Sequence, residues 1–253
     1  LVNVEGHGYQ KINAAYSIGG PLLAVKTLNQ TFHLNIKEYA IVDFEGMVEI
    51  VDAVGGVEVE LTPAEIHYTN AGIAEIARVR GLKPTYVSKS GKQLMNGLQA
   101  VSFSRIRYVP TINGTRDDYG RSERQRLVMS RLFEKALDLP LTQYPSLIRT
   151  ILPYVQTSLG YDDIFKLAKV LKADGVSMQQ GRIPVDESVI TGGLSVPHIG
   201  SCVYYDLEYS ADLLNAFFFE DITFEAYMAQ HGVWKHNWYG ASGYGDVYIH
   251  PDG

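Results

Sequence analysis

Three hydrophobic periods follow one another between Tyr39 and Leu61, and they constrain the fold more than any other stretch. Tyr39–Phe44 is a short apolar run rich in strand formers, which predicts a buried strand. Phe44–Ala53 carries Met47, Val48, Ile50 and Val51 at helical spacing, and Gly55-Gly56 ends it. Val57-Glu58-Val59-Glu60-Leu61 then alternates apolar and acidic, the period of a half-buried strand. Strand, helix and strand in quick succession point to a layered α/β domain.

The flanking sequence adds mostly helices. Asn13–Tyr16 opens a short one that Gly19-Gly20-Pro21 breaks, and Leu22–Phe32 resumes the helical period. From His67 to Ser90 the pattern is weak, with a helix around Ala71–Arg80. Asn96–Phe103 reads as a helix running into Arg105-Ile106-Arg107, which alternates like a strand. Tyr119–Leu139 is the clearest amphipathic helix, with Asp118 as its expected N-cap and Pro140 as its stop. Helices are expected at Tyr144–Val155, Asp162–Ala173 and Ser210–Phe219, and a strand near Tyr204–Leu207.

A hydrophobic fraction of 46% and a charged fraction of 20% are those of a globular chain, and 253 residues suffice for a real core. Cys202 is the only cysteine, which excludes a disulfide framework and a cysteine-based zinc site. No apolar run approaches the roughly 18 residues that span a bilayer. The chain opens at Leu1 in the middle of structured sequence and reads as part of something longer. A net charge of −6 argues against general nucleic-acid binding, which rewards a broadly basic surface.

Against that acidic background, six of the eleven arginines fall between Arg105 and Arg126, offset only by Asp117, Asp118 and Glu123. No lysine interrupts them, and arginine's planar fork suits bidentate grip on phosphate. On a strand, Arg105 and Arg107 would share a face about 7 Å apart. In the following helix Arg121 shares a face with Arg124 or Gln125, near a helix N-terminus that already favours an anion. The residues alone leave two readings open: a converging phosphate clamp, or arginines paired with acids as structural ion pairs.

An ordered set of motifs adds to this. Lys11-Ile12-Asn13-Ala14-Ala15-Tyr16 with Gly19-Gly20-Pro21, Val42-Asp43-Phe44-Glu45-Gly46, and Val51-Asp52-Ala53-Val54-Gly55-Gly56-Val57 come first. Leu94-Met95-Asn96-Gly97 with Gln99-Ala100 follows, then Arg105-x-Arg107 and Asp118-Tyr119-Gly120-Arg121-x-x-Arg124-Gln125-Arg126. The string resembles the LytR-CpsA-Psr family of cell-envelope proteins over about residues 1–138, and again at Tyr204–Phe217. The resemblance implies a three-layer α/β/α sandwich around a mixed central sheet, lacking its N-terminal strands in this chain. It implies a phosphotransferase domain over 1–220, with an aromatic- and Gly-rich tail over 221–253 packed on it.

The implied activity is transfer of a phosphoglycan, such as teichoic acid or capsule, from a polyprenyl-pyrophosphate carrier to peptidoglycan. It implies a place at the extracytoplasmic face of a Gram-positive-type membrane, reached through an N-terminal membrane helix, and no nucleic-acid partner. By resemblance Arg105, Arg107, Arg121, Arg124 and Gln125 bind the pyrophosphate, and Arg121, Asp118 and Arg107 take part in catalysis. Mg²⁺ is the implied cofactor, with aspartate ligands upstream of the Lys11–Tyr16 motif. Helices such as Leu22–Phe32 and Leu127–Leu137 are candidates to line a lipid groove. A non-catalytic lipid-pyrophosphate binding module and a pyrophosphate hydrolase are the alternatives.

Other signals are set aside. Asn29-x-Thr31 and Asn113-x-Thr115 match glycosylation sequons by chance in a bacterial chain, and His231, His236 and His250 lack metal-helix spacing. The tail concentrates Tyr227, Trp234, Trp238, Tyr239, Tyr244 and Tyr248, aromatics able to stack on sugar or to pack on the domain.

Overall fold

The change of period between Tyr39 and Leu61 becomes strand, helix and strand in the computed structural model, which describes residues 1–173, 178–185, 194–202 and 206–232. In chain order the elements are β1 (Val2–Val4), β2 (Gly8–Gln10), α1 (Ala14–Phe32), β3 (Ala40–Val42), α2 (Phe44–Ala53) and β4 (Val57–Leu61). Then come α3 (Pro63–Arg80), β5 (Gly91–Met95), α4 (Gly97–Ser104), α5 (Asp117–Asp138), α6 (Tyr144–Ile151), β6 (Val155–Thr157) and α7 (Tyr161–Ala173). β7 (Leu194–Val196), β8 (Gly200–Cys202), α8 (Leu207–Phe219) and α9 (Phe224–His231) complete the set. The α/β class is as expected. The strands, however, pair as four separate two-stranded antiparallel ribbons, and no single mixed central sheet forms among the described residues.

Two compact units emerge, one from residues 1–39 and 181–253, the other from 40–180. Across position 220, Phe224 and Tyr227 of α9 join one hydrophobic cluster with Leu213 and Leu214 of α8. Tail residues beyond 232, with both tryptophans, lie outside the described residues.

In the first unit, α1 packs on β1 and α8. Gly19 and Gly20 leave the helical region inside α1, Gly20 at φ +67°, so the expected break at Gly19-Gly20-Pro21 is a kink within one element. Phe32 ends buried in the cluster of α8 and α9, with Leu28 packed against it, so these two residues face a core rather than a lipid groove. The strand expected near Tyr204–Leu207 falls largely outside the described residues, and Leu207 itself opens α8.

The second unit holds the arginine cluster. β4 buries Val57, Val59 and Leu61 and turns Glu58 and Glu60 outward, as its alternation requires. Those three pack with Val51, Met95, Phe103, Ile106 and Val128 into the main core. Val128 and Leu132 of α5 are core too, so the apolar face expected to border a lipid groove is already occupied. β3 is only partly buried and, among the described residues, pairs only with β6, so it forms a two-stranded ribbon rather than the expected buried strand.

Two contacts fix where α4 starts, and so where Arg105 emerges at its end. Asp52 Oδ1 accepts the Gly97 backbone N–H at 2.7 Å. A Cβ at Gly97 would stand 2.0 Å from the Val48 carbonyl oxygen, so α4 approaches α2 more closely than any side chain allows.

α3 begins eight residues before the expected Ala71, because a capping box sets its start. The Glu65 carboxylate accepts the Thr62 backbone N–H at 2.8 Å, and Pro63 takes the first helical position. Both chance sequons sit in structural roles: Asn29 exchanges two hydrogen bonds with the Ile36 backbone, and Asn113 donates to Glu123.

Candidate functional site

Arg105, Arg107, Arg121 and Gln125 line one cleft of about 670 Å³ in the second unit. They reach it differently from the sequence expectation. Arg105 is the C-cap of α4, and Arg105–Arg107 form an irregular segment rather than a strand. Its alternation has another cause: Ile106 is buried in the core cluster while Arg105 and Arg107 stay more exposed at the cleft. Asp118 is not the N-cap of α5 either. Arg116 holds that position, and Asp117 follows at φ +55° with its N–H donating to the Arg107 carbonyl at 2.9 Å.

Asp118 lies in the first turn of α5, where one carboxylate oxygen, Oδ1, is shared by two guanidiniums. Arg107 Nε approaches it at 3.2 Å and Arg121 Nη2 at 3.2 Å. The acid thus holds two arginines from different elements to one point. Arg105 stacks its guanidinium over the Phe44 ring at 5.0 Å and lies 3.7 Å from Glu75.

Arg124 departs from the expected role. It is 1% exposed and does not line the cleft. Its Nε donates to Glu65 at 2.7 Å, Nη1 to the Ile106 carbonyl at 3.1 Å and Nη2 to the Val109 carbonyl at 2.9 Å. Three of its five N–H donors are committed to the protein, and burial keeps the side chain from the cleft. Arg124 therefore pins α3, α5 and the segment carrying Arg107 together. The structural reading describes Arg124, whereas Arg105, Arg107 and Arg121 line one cleft, each beside a carboxylate.

Local reading missed Glu65, Glu75, Tyr68 and Tyr108, all of which line or support the cleft. The Thr62-Pro63-x-Glu65 spacing was the one available signal, a capping box announcing a helix start.

The loop between Tyr108 and α5 is tied down rather than free. Thr111 N–H donates to the Thr115 carbonyl at 2.8 Å, and Asn113 Nδ2 to Glu123 at 2.8 Å. A Cβ at Gly120 would meet the Thr115 carbonyl oxygen at 2.7 Å, so only glycine lets α5 pass this loop. Desolvation pushes the Glu123 carboxyl up, but hydrogen bonds from Thr115, Asn113 and Thr111 and the charge of Arg126 outweigh it, and the net shift is downward. Its contribution to stability is then present above the ordinary carboxylate range and is lost as pH falls through the lowered value. In thermal melts, Glu123→Gln should be the less stable chain above about pH 5 and should converge with the parent in acid.

Among the described residues, no group of three or more His, Cys, Asp or Glu side chains is placed to hold a metal ion. The carboxylates at the cleft, Asp118 and Glu75, are each beside arginine. These residues do not fit a Mg²⁺ site.

Fold and cleft define an α/β protein with an arginine-lined cleft. The chain belongs to the LytR_cpsA_psr family, whose family model matches residues 1–200. The polyisoprenyl-teichoic acid–peptidoglycan teichoic acid transferase TagU of Enterococcus faecalis is 34% identical to it over 169 residues, which cover 66% of this chain and 49% of TagU. The chain spans about half the length of the curated relatives it matches. Two solved structures share the fold. A transcriptional regulator from Enterococcus faecalis superposes with a TM-score of 0.61 at 19% identity, over 93% of this chain and 75% of that one. TagT bound to LI-WTA superposes with a TM-score of 0.52 at 22% identity, over 68% and 58%.

Proposed function

We propose that the cleft holds the pyrophosphate of a polyprenyl-pyrophosphate-linked glycopolymer, and that the whole protein transfers the phosphoglycan to peptidoglycan as a phosphotransferase. The observation that carries this reading is the convergence of Arg105, Arg107, Arg121 and Gln125 on one cleft, with Asp118 aligning two of them. Family membership supports it, as do the name of TagU and the ligand held by TagT.

In this reaction a sugar hydroxyl of peptidoglycan attacks the phosphorus on the glycan side. A new P–O bond forms, the bridging P–O bond breaks, and polyprenyl phosphate leaves while the hydroxyl proton is released. Such a step needs positioning and neutralisation of charge rather than covalent participation by the protein. Arg107 and Arg121 would take the charge that builds on the leaving phosphate, and Asp118 would keep their forks oriented. The Mg²⁺ implied by the resemblance is proposed for the whole protein, and no step here is routed through it. The reading sets the protein at the extracytoplasmic face of the membrane. Among the described residues no helix is long and apolar enough to cross one.

The test is product analysis with a short-chain prenyl-pyrophosphoryl sugar, with and without peptidoglycan fragments. A phosphodiester-linked sugar on peptidoglycan, with release of prenyl phosphate only when acceptor is present, is the expected result. Sugar phosphate released to water without acceptor identifies a hydrolase. Saturable binding with no turnover identifies a binding module.

A further inference from the structure

We infer that Tyr108 and Tyr68 form a platform for the sugar attached to the clamped pyrophosphate, a saccharide subsite beside the arginines. This deepens the function proposed above and rests on its pyrophosphate reading. Tyr108 directly follows Arg107 and is 75% exposed, and Tyr68 is 36% exposed. Their ring centroids lie 6.2 Å apart with planes 40° from parallel, and both rings line the cleft of Arg107 and Arg121.

Exposed rings are common on mobile loops, but the backbone under these two is anchored. Buried Arg124 binds the carbonyl of Ile106 on one side of Tyr108 and that of Val109 on the other. Tyr68 stands three residues after Glu65, the acid that holds Arg124 at 2.7 Å. One buried ion pair therefore fixes the main chain behind both tyrosines while their rings stay in water. A ring held in place and left uncovered binds with little further ordering cost.

The shape of the surface selects the ligand. An isoprenoid chain gains by being surrounded and removed from water, and a ring three-quarters exposed surrounds nothing. A pyranose needs only one apolar C–H face covered, and its hydroxyls stay hydrated or meet a phenol O–H. Phe44, the hydroxyl-free ring of the cleft, already lies under the Arg105 guanidinium. Position agrees as well: a sugar joined to the clamped phosphate through one oxygen lies next to Arg107, where Tyr108 stands.

Calorimetric titration of the full chain with three probes tests this: inorganic pyrophosphate, geranyl pyrophosphate and a geranyl-pyrophosphoryl hexose. The unmutated chain should bind the hexose probe more tightly than geranyl pyrophosphate. Tyr108→Ala should weaken the hexose probe about three- to tenfold and leave the sugar-free probes within about twofold. Tyr108→Phe should keep most of the affinity. Equal weakening of geranyl pyrophosphate would assign the rings to the lipid chain and overturn the platform, as would an unchanged hexose affinity. An unmutated chain that binds none of the three overturns the clamp, and the platform with it.

Discussion

Arg121→Ala is expected to weaken binding of geranyl pyrophosphate by about 10- to 100-fold, since each charge-assisted bond contributes roughly 1.5–3 kcal/mol. The melting temperature should hardly move. Arg121's charged partner among the described residues, Asp118, has a side chain 70% exposed, and ion pairs that open to solvent are worth about 0–1 kcal/mol. Calorimetric titration beside a thermal melt reads both quantities. The opposite pattern, retained binding with a large loss of stability, would make these arginines structural and remove the clamp. Asp118→Asn supplies an internal comparison. It keeps the fold and both arginines but loses the charge that gathers them, so its defect should be smaller than that of Arg121→Ala.

Glu65→Ala carries the largest expected cost in stability. The Glu65 and Arg124 side chains are 2% and 1% exposed, so removing the acid strands a guanidinium in the core. Breaking such a pair costs about 3–5 kcal/mol, a large part of the stability of any single domain. Urea unfolding followed by circular dichroism measures it. Replacing both partners, as Glu65→Leu with Arg124→Met, should recover much of the loss, because no unpaired charge remains. A double variant no better than Glu65→Ala would mean that the carbonyls of Ile106 and Val109, rather than the charges, dominate at this site.

These two residues also mark the limit of what local pattern conveys. α2 is legible because everything that defines it lies within a few residues: Asp43 accepts the Gly46 N–H, Val48 and Val51 share a buried face, and Gly55 turns the chain at φ +83°. α3 is only half legible, because its first two turns are held by a capping box and by an ion pair to a residue 59 positions away. Arg105-Ile106-Arg107 alternates as a strand does, yet among the described residues no strand pairs with it. Burial of Ile106 alone produces the pattern. Of the five residues expected to hold pyrophosphate, four share the cleft. Arg124 separates from them because a helix periodicity of three to four residues cannot tell which neighbour of Arg121 faces inward.

The oxygen that Asp118 shares between two guanidiniums has a consequence for how any ligand arrives. Three arginines against two carboxylates, Asp118 and Glu75, leave the cleft with a single net positive charge on a body of net −6. A field that weak is screened within about 8 Å at physiological ionic strength, so it draws no polyanion from bulk solution. A grip on the proposed pyrophosphate would then be short-ranged and geometric, acting only after contact. On the proposed function this fits cargo that diffuses in two dimensions and is handed over at a surface, where encounter needs no long-distance attraction.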